Sequence, residues 1–168
     1  MWNFVSKTLF SQRISDKGVC FFDIDGVLNT SSDWSKPYTF RRDLVTNLCT
    51  LAKEKNLDLI MTSSWRKGFS ASMSENNLPH MKRLEEAMAE FGIKIKGKTP
   101  VFKGDVRDIE IRKYLSYHPY SRRIVIDDDR SEYFSIDDFT FVLTDPTKGF
   151  DAAALKKAMK LIGGNKRR

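Results

Sequence analysis

Three short, largely apolar segments of this chain each end abruptly in a cluster of polar residues, and this pattern constrains the fold more than any other feature. The segments are residues 19–22, 57–61 and 124–126, and the clusters after them are Asp23 with Asp25, Thr62 with Ser63 and Ser64, and Asp127 with Asp128 and Asp129. Short apolar runs are typical of strands buried on both faces of a parallel sheet. We therefore interpret these segments as core strands whose ends carry polar side chains.

Segments with helical periodicity alternate with these strands. Apolar spacing predicts helices around residues 40–51, 81–91 and 109–115, a last helix from Asp151, and further strands at residues 93–95 and 139–143. Gly92 is expected to end the second helix and Asp105 to cap the third, with Ile109, Tyr114 and Leu115 on its buried side. The alternation predicts an α/β fold, a Rossmann-like three-layer sandwich with a mostly parallel five-stranded sheet.

In such a sheet the polar clusters come together although they are far apart in sequence. Ligands of open α/β sheets bind at the carboxyl ends of the strands, near a topological switch point. Alternation along the strand would place Asp23 and Asp25 on the same side, and Asp127 would supply a third carboxylate. All-oxygen sites of this kind suit Mg²⁺, which also takes substrate phosphate as a ligand. The sequence therefore predicts a magnesium-assisted phosphate site.

Structural explanations compete with this interpretation. Acidic residues after a strand often only cap a helix or a turn, and residues 127–129 are also consistent with a solvated turn. A calcium loop starting at Asp23 is excluded, because its sixth position is Leu28 rather than glycine and its twelfth is Trp34 rather than glutamate. Adjacent carboxylates that repel one another beside a buried strand are better explained by a cation.

Length and charge bound the remaining possibilities. The chain has 168 residues, which favours a single domain over 1–168, with a core of about 18–163 and a basic tail at 164–168. Its net charge of +7 would attract nucleic acid or phosphorylated metabolites, although it is also consistent with general solubility. No apolar stretch of about 18 residues occurs, so we expect no membrane partner and a cytoplasmic location.

Residues 21–28, with the sequence Phe-Phe-Asp-Ile-Asp-Gly-Val-Leu, resemble the first motif of the haloacid dehalogenase (HAD) superfamily of phosphohydrolases. Later features follow in that family's order across residues 19–150. Within the superfamily, residues 28–29, 62–66 and 144–146 are similar to the HAD domains of Swiss Army Knife RNA repair proteins. The resemblance implies a Mg²⁺-dependent phosphatase that acts through an aspartyl-phosphate intermediate.

The resemblance also implies roles for the acidic residues. Asp23 would be the nucleophile and a Mg²⁺ ligand. Asp25 would be the general acid and base, and its backbone carbonyl would bind the metal. Asp127 would be the remaining metal ligand, with Asp128 close behind it.

Four further residues receive roles in the same way. Thr62 would hydrogen-bond the transferring phosphoryl group, and the neighbouring Ser63 is the alternative. The family places a basic residue before the fourth strand to neutralise nucleophile and phosphate. Lys103 and Arg107 are the two candidates, and Arg107 suits the spacing better although the family residue is usually lysine.

The substrate prediction rests on the absence of a sizeable cap domain. After Leu28 only about ten residues precede the next helix, too few for an independent domain, and residues 66–100 hold one helix and one strand. The site should therefore be open to large substrates, either nucleic-acid ends or nucleotides. A catalytically idle interaction module for nucleic acid or protein is the alternative, and the presence of both Asp23 and Asp25 argues against it.

Aromatic residues near the predicted mouth are consistent with base recognition. Trp34, Tyr38 and Trp65 either stack on bases or anchor their loops. Trp65 and Arg66 directly follow the Thr-Ser-Ser turn, so one is expected to stack on a terminal base and the other to pair with a neighbouring phosphate. A salt bridge between Arg66 and an acidic residue is the alternative.

Overall fold

The computed structural model describes residues 13–70, 78–104, 106–135 and 137–163, and its centre is a five-stranded sheet. The strands are β1 (Gly18–Phe22), β2 (Leu57–Met61), β3 (Ile95–Lys98), β4 (Arg123–Asp127) and β5 (Thr140–Leu143). All neighbouring strands are parallel, in the order β3-β2-β1-β4-β5. The chain thus leaves β1 toward one edge of the sheet and returns to its other side at β4, which creates a topological switch point beside β1.

The register brings the ends of the three central strands level with one another. Phe22, the last residue of β1, pairs with Met61 of β2 and with Ile126 of β4. The polar residues that follow these strands therefore lie along one edge of the sheet, as the sequence predicts.

Helices cover both faces of the sheet. They are α1 (Arg42–Glu54), α2 (Pro79–Ala89), α3 (Arg107–Tyr117) and α4 (Ala152–Gly163). Alternate residues of β1 point to opposite faces. Cys20 and Phe22 join the core formed with α1, α2 and α4, and Phe21 joins a smaller core that includes Ile111 of α3. The predicted three-layer α/β sandwich is therefore confirmed.

Two local predictions were wrong. The third strand begins at Ile95 rather than at residue 93, because the Ile93 amide donates to Met88 O at 3.2 Å and closes α2. Gly92 takes part in this cap with a φ of +69°, as predicted. In α3 the predicted core residue Ile109 is exposed, and the carboxylate of Glu110 is buried instead. Asp105, predicted to cap α3, and the tail 164–168 lie outside the described residues.

The connections that could carry a cap domain are short in the described structure. A single 3-10 turn, Ser31–Asp33, lies between β1 and α1, and a second, Ser64–Gly68, precedes α2. Over its described residues neither connection forms a separate domain. None of the helices in the described part of the chain is long and apolar enough to span a bilayer.

A buried carboxylate ties the sheet to its surroundings at the edge opposite the polar clusters. Asp58 of β2 accepts hydrogen bonds from Lys96 Nζ at 2.5 Å, Tyr120 Oη at 2.9 Å and Lys17 Nζ at 3.3 Å. Burial alone would raise the pKa of Asp58, but these hydrogen bonds and the two positive charges outweigh it and lower the pKa below its ordinary value. The carboxylate thus joins β2 to β3 and to the segments before β1 and β4.

We predict that Asp58→Asn lowers the free energy of unfolding by about 1–3 kcal/mol at pH 7, because the buried Tyr120 and two half-exposed lysines lose a charged acceptor. The folded-state pKa lies below the unfolded value of about 3.9, so this contribution is full above that pH and disappears as pH falls through the folded-state pKa. Urea unfolding of both proteins between pH 7 and pH 3 measures the difference.

Asp43→Asn is the matched control, because Asp43 pairs with Arg41 on the surface. It should change the unfolding free energy much less, since exposed ion pairs contribute little. Equal effects of the two substitutions would contradict a structural role for the Asp58 network.

Candidate active site

Backbone hydrogen bonds fix the residues that follow the central strands. The Asp23 amide donates to Ile126 O at 3.0 Å, and the Thr62 amide donates to Phe22 O at 2.9 Å. Both bonds continue the sheet ladder one residue past the end of the donor's strand. Asp23 and Thr62 are thereby held at positions set by the rigid centre of the fold, and Asp127 is the last residue of β4.

Three carboxylates converge at this edge. Asp23, Asp127 and Asp128 each offer an oxygen, and these oxygens all lie within 4.8 Å of one another. Asp23 and Asp127 are buried, and Asp128 is half-buried. Gly26 allows this approach, because a Cβ atom there would lie 2.4 Å from the Asp128 carboxylate and its φ is +70°. The glycine of the first motif is thus required by both space and backbone conformation.

Arg107 at the start of α3 links the carboxylates to the turn after β2. Its guanidinium lies 3.3 Å from Asp23 Oδ2 and 3.7 Å from Asp127 Oδ2, and it donates to Thr62 O at 2.9 Å. A fourth contact, 2.9 Å to Glu132 Oε2, orients it further. Burial would lower the pKa of Arg107, but the charges of Asp23 and Asp127 raise it above its ordinary value. The Arg107 side chain is therefore positively charged throughout the physiological pH range.

The buried carboxylates are electrostatically costly. Burial raises the pKa of Asp23, although Arg107 and a hydrogen bond from the Ser63 side chain act against it. Burial and the charge of Asp23 raise the pKa of Asp127. Tyr133 Oη donates to Asp127 Oδ2 at 2.7 Å, which favours the charged form. Burial is the largest cause of both pKa shifts, and Arg107 with the hydrogen bonds from Ser63 and Tyr133 offsets it only in part.

Asp25 is held by a turn rather than by strand alternation, since β1 ends at Phe22. The amides of residues 27, 28 and 29 all donate to Ile24 O, which closes the turn. Asn29 Nδ2 donates to Asp25 Oδ1 at 2.8 Å, and Trp65 Nε1 donates to Asp25 Oδ2 at 3.2 Å. Both oxygens are therefore oriented by side chains from two different loops.

Thr62 and Ser63 form the turn after β2. The hydroxyl of Thr62 is buried and has no hydrogen-bond partner among the described residues. The Ser63 hydroxyl accepts from the Trp65 amide at 3.3 Å and also bonds the Asp23 carboxylate. This turn thus places one unpaired hydroxyl and one hydroxyl bonded to Asp23 beside the carboxylate cluster.

The structure pairs Arg66 with an acidic residue, the alternative considered above, rather than leaving it open to a neighbouring phosphate. The side chain is buried and lies 2.5 Å from Glu110 Oε2 of α3. It also donates to the carbonyls of Thr62 and Ser63. Arg66 therefore holds the turn after β2 through its backbone carbonyls.

The aromatic residues and Lys103 occupy different environments. Trp65 is only 7% exposed and meets Tyr38 and His80 edge to face, whereas Trp34 and Tyr38 are about half exposed. Trp65 is thus a loop anchor that orients Asp25. Lys103 is exposed, and none of its described contacts reaches the carboxylate cluster.

The oxygen donors at this edge fit a hard divalent cation. Asp23, Asp127 and Asp128 bring three carboxylates together, and Arg107 contacts only the first two. Carboxylate oxygens are the ligands that Mg²⁺ prefers, and two of these are buried at a cost that a cation would offset. Asp25 has both carboxylate oxygens engaged by Asn29 and Trp65, which is consistent with a carbonyl contribution instead.

Sequence reasoning assigned no role to several residues at the site. Tyr133 lies after Asp127, separated from it by a 3-10 turn. Glu132 orients Arg107, and Glu110 neutralises Arg66. None of them belongs to a recognisable motif. Asn29 lies in the turn directly after Asp25, and that position is a usable sequence signal.

Comparisons with known proteins give the fold and the family of this chain. No curated protein is significantly similar to the chain in sequence. A crystal structure of a candidate HAD-like phosphatase from Mesorhizobium loti superposes with a TM-score of 0.54, covering 93% of this chain and 91% of that chain at 13% identity. At that identity the likeness shows the fold alone.

One family model matches most of the sequence. It describes the HAD domain in Swiss Army Knife RNA repair proteins and matches residues 19–155, from β1 into α4. The matched range includes the carboxylate cluster, the Thr62–Ser63 turn and Arg107. The chain therefore belongs to the family of HAD domains found in Swiss Army Knife RNA repair proteins.

Proposed function

We propose that this protein is a Mg²⁺-dependent phosphatase that acts on nucleic-acid ends or nucleotides through an aspartyl-phosphate intermediate. The observation that carries the proposal is the convergence of Asp23, Asp127 and Asp128 within 4.8 Å at the switch point. Burying a cluster of carboxylates costs stability. A binding module has no need of such a cluster, whereas catalytic sites commonly contain one.

In the first step a carboxylate oxygen of Asp23 attacks phosphorus, and the bond from phosphorus to the leaving oxygen breaks. Arg107, 3.3 Å from Asp23, offsets the charge of nucleophile and phosphate. In this step the hydroxyl of Thr62, which has no partner among the described residues, and that of Ser63 would bond phosphoryl oxygens. The product of this step is phosphorylated Asp23 and a leaving alcohol.

Asp25 moves the protons in both steps. It gives its proton to the leaving oxygen and then takes one from the water whose oxygen attacks phosphorus. The second attack releases inorganic phosphate and restores Asp23. Hydrogen bonds from Asn29 and Trp65 hold the Asp25 carboxyl group in a defined orientation for these transfers.

Mg²⁺ would be held by Asp23, Asp127 and Asp128 together with the carbonyl of Asp25. When bound, it would supply charge that reduces the repulsion between the carboxylates and a phosphate group. Tyr133 orients the Asp127 carboxylate toward this role by its hydrogen bond to Oδ2.

We predict that Asp23→Asn lowers hydrolysis of p-nitrophenyl phosphate in the presence of Mg²⁺ at least about a thousandfold, because an amide cannot act as the nucleophile. Circular dichroism should show an unchanged fold. Near-normal turnover by the folded variant would end the aspartyl-phosphate mechanism.

Asp25→Asn provides the internal control. The activity of this variant should fall much more on an alkyl phosphate, whose leaving oxygen needs a proton, than on p-nitrophenyl phosphate, whose leaving group is stable as an anion. If wild-type protein hydrolyses neither ester with Mg²⁺, the interaction-module alternative replaces the proposal.

We predict that Asp127→Asn raises the Mg²⁺ concentration for half-maximal activity about tenfold or more, because a charged ligand is lost while the contact with Tyr133 is kept. Titration of the initial rate against Mg²⁺ gives this concentration. Asp129→Asn is the matched control, since Asp129 caps the following turn through Ser131 and lies outside the cluster. An unchanged half-saturation in Asp127→Asn would contradict its assignment as a ligand.

We predict that a phosphorylated oligonucleotide is hydrolysed with higher kcat/KM than a hexose phosphate. The described connections around the site contain no cap, and the net charge of +7 attracts a polyanion. The preference should weaken as salt rises, because the attraction is electrostatic. Initial rates on a 3′- or 5′-phosphorylated oligonucleotide, the matching mononucleotide and the hexose phosphate measure it. A hexose phosphate that is hydrolysed best would contradict the substrate class.

A further inference from the structure

A cleft of about 400 Å³ opens directly beside the proposed general acid. Asp25 and Asn29 lie at one side of it, and the loop between β1 and α1 supplies Trp34, Lys36 and Tyr38. The cleft is therefore on the side of the site where the leaving group departs, because Asp25 delivers the proton to the leaving oxygen.

The wall of the cleft is fixed by hydrogen bonds that also hold Asp25. Trp34 Nε1 donates to Asn29 Oδ1 at 3.1 Å, and Asn29 Nδ2 donates to Asp25 Oδ1 at 2.8 Å. The Gly26 amide donates to the same Asn29 oxygen at 3.0 Å. A ring at position 34 is thus positioned relative to the carboxyl group through a single intervening side chain.

Trp34 is an exposed aromatic surface that the protein itself does not cover. Its side chain is 50% exposed, and among the described residues its ring makes no aromatic or cation–π contact. Tyr38, in contrast, is stacked on His80 with ring centroids 3.9 Å apart. One tryptophan face is therefore available to a ligand, and Tyr38, which also lines the cleft, is held by its stacking on His80.

The loop also stores backbone strain at this wall. Tyr38 has a φ of +57°, a left-handed conformation that is unfavourable for a residue with a bulky side chain. The stacking with His80 and the edge contact with Trp65, 5.3 Å between centroids, hold it there. Strain of this kind is typical of positions that shape a binding site.

We propose that this cleft binds the nucleoside from which the phosphate is removed, with its base stacked on Trp34 and its sugar oxygen facing Asp25. The proposal rests on the function proposed above. Nucleobases stack on exposed aromatic side chains irrespective of their sequence, whereas sugar and glycerol phosphates have no flat face to offer. Lys36 at the rim supplies a positive charge for the next phosphate of a chain.

Hydrolysis by Trp34→Ala and Trp34→Phe tests the stacking. On a phosphorylated oligonucleotide and the matching mononucleotide, Trp34→Ala should lower kcat/KM about tenfold more than on glycerol phosphate. Trp34→Phe should retain most of this selectivity, because it keeps a flat ring and loses only the bond to Asn29. Tyr117→Ala, an exposed aromatic on α3 away from the cleft, is the matched control.

The pattern across substrates separates stacking from a merely structural role. If Trp34→Ala and Trp34→Phe lower kcat/KM equally on all three substrates, Trp34 acts only through Asn29, and the stacking proposal is overturned. Unchanged selectivity in Trp34→Ala overturns it as well. If Lys36→Gln lowers kcat/KM on the oligonucleotide alone, the source of the nucleoside is a polymer end. If it changes kcat/KM on the oligonucleotide and on the mononucleotide to the same extent, the source is the free nucleotide.

Binding of adenosine, measured by calorimetry, makes the test independent of turnover. Wild-type protein should bind adenosine, and Trp34→Ala should weaken the affinity about tenfold. Adenosine binding that depends on Trp34 in a protein without phosphatase activity would support the cleft and refute the proposed reaction. Phosphatase activity combined with adenosine binding that is absent or unaffected by the substitution would refute the cleft alone.

Discussion

The structure depends on two carboxylates being buried side by side at the ends of adjacent strands. Asp23 and Asp127 are 4% and 0% exposed, and like charges in such a position repel strongly. Parallel pairing of β1 with β4 leaves no other place for their side chains, because the register is set by the apolar residues before them. The surrounding residues are therefore best understood as compensation for this pair.

That compensation explains the contacts of α3 and of the turn after β4. Arg107 reaches both carboxylates, and Tyr133 adds a neutral donor to Asp127. A buried face with ion pairs is unusual for a helix, and the Arg66–Glu110 pair beside α3 belongs to the same arrangement. The helix stabilises the site at some expense to its own apolar packing.

This expense shows where sequence reasoning succeeds and where it fails. The strands and the carboxylate edge could be predicted, because apolar runs that end in acids carry both their burial and their direction in the local sequence. The buried face of α3 could be predicted only in part, since Tyr114 and Leu115 pack against the smaller core as expected. Ile109 fits the same apolar pattern but is exposed, and Glu110 is buried against a partner 44 residues away. Long-range ion pairs leave no periodic signal.

The prediction of where Asp25 lies failed for a related reason. Strand alternation was the available argument, but β1 ends at Phe22, and the Ile24 carbonyl then collects three amides in a tight turn. Gly26 and its close approach to Asp128 determine that geometry. Once a chain leaves the sheet, individual hydrogen bonds replace periodicity as the determinant of where a side chain points.

A division of labour follows from these two kinds of control. Asp23, Thr62 and Asp127 take their positions from the sheet, so this half of the site is held by the core. Trp34 takes its position from a loop and is linked to Asp25 by hydrogen bonds through Asn29. Loops tolerate substitution far better than a buried sheet does. In the proposed reaction, leaving-group preference can therefore change through the loop, while the carboxylates at the strand ends stay the same.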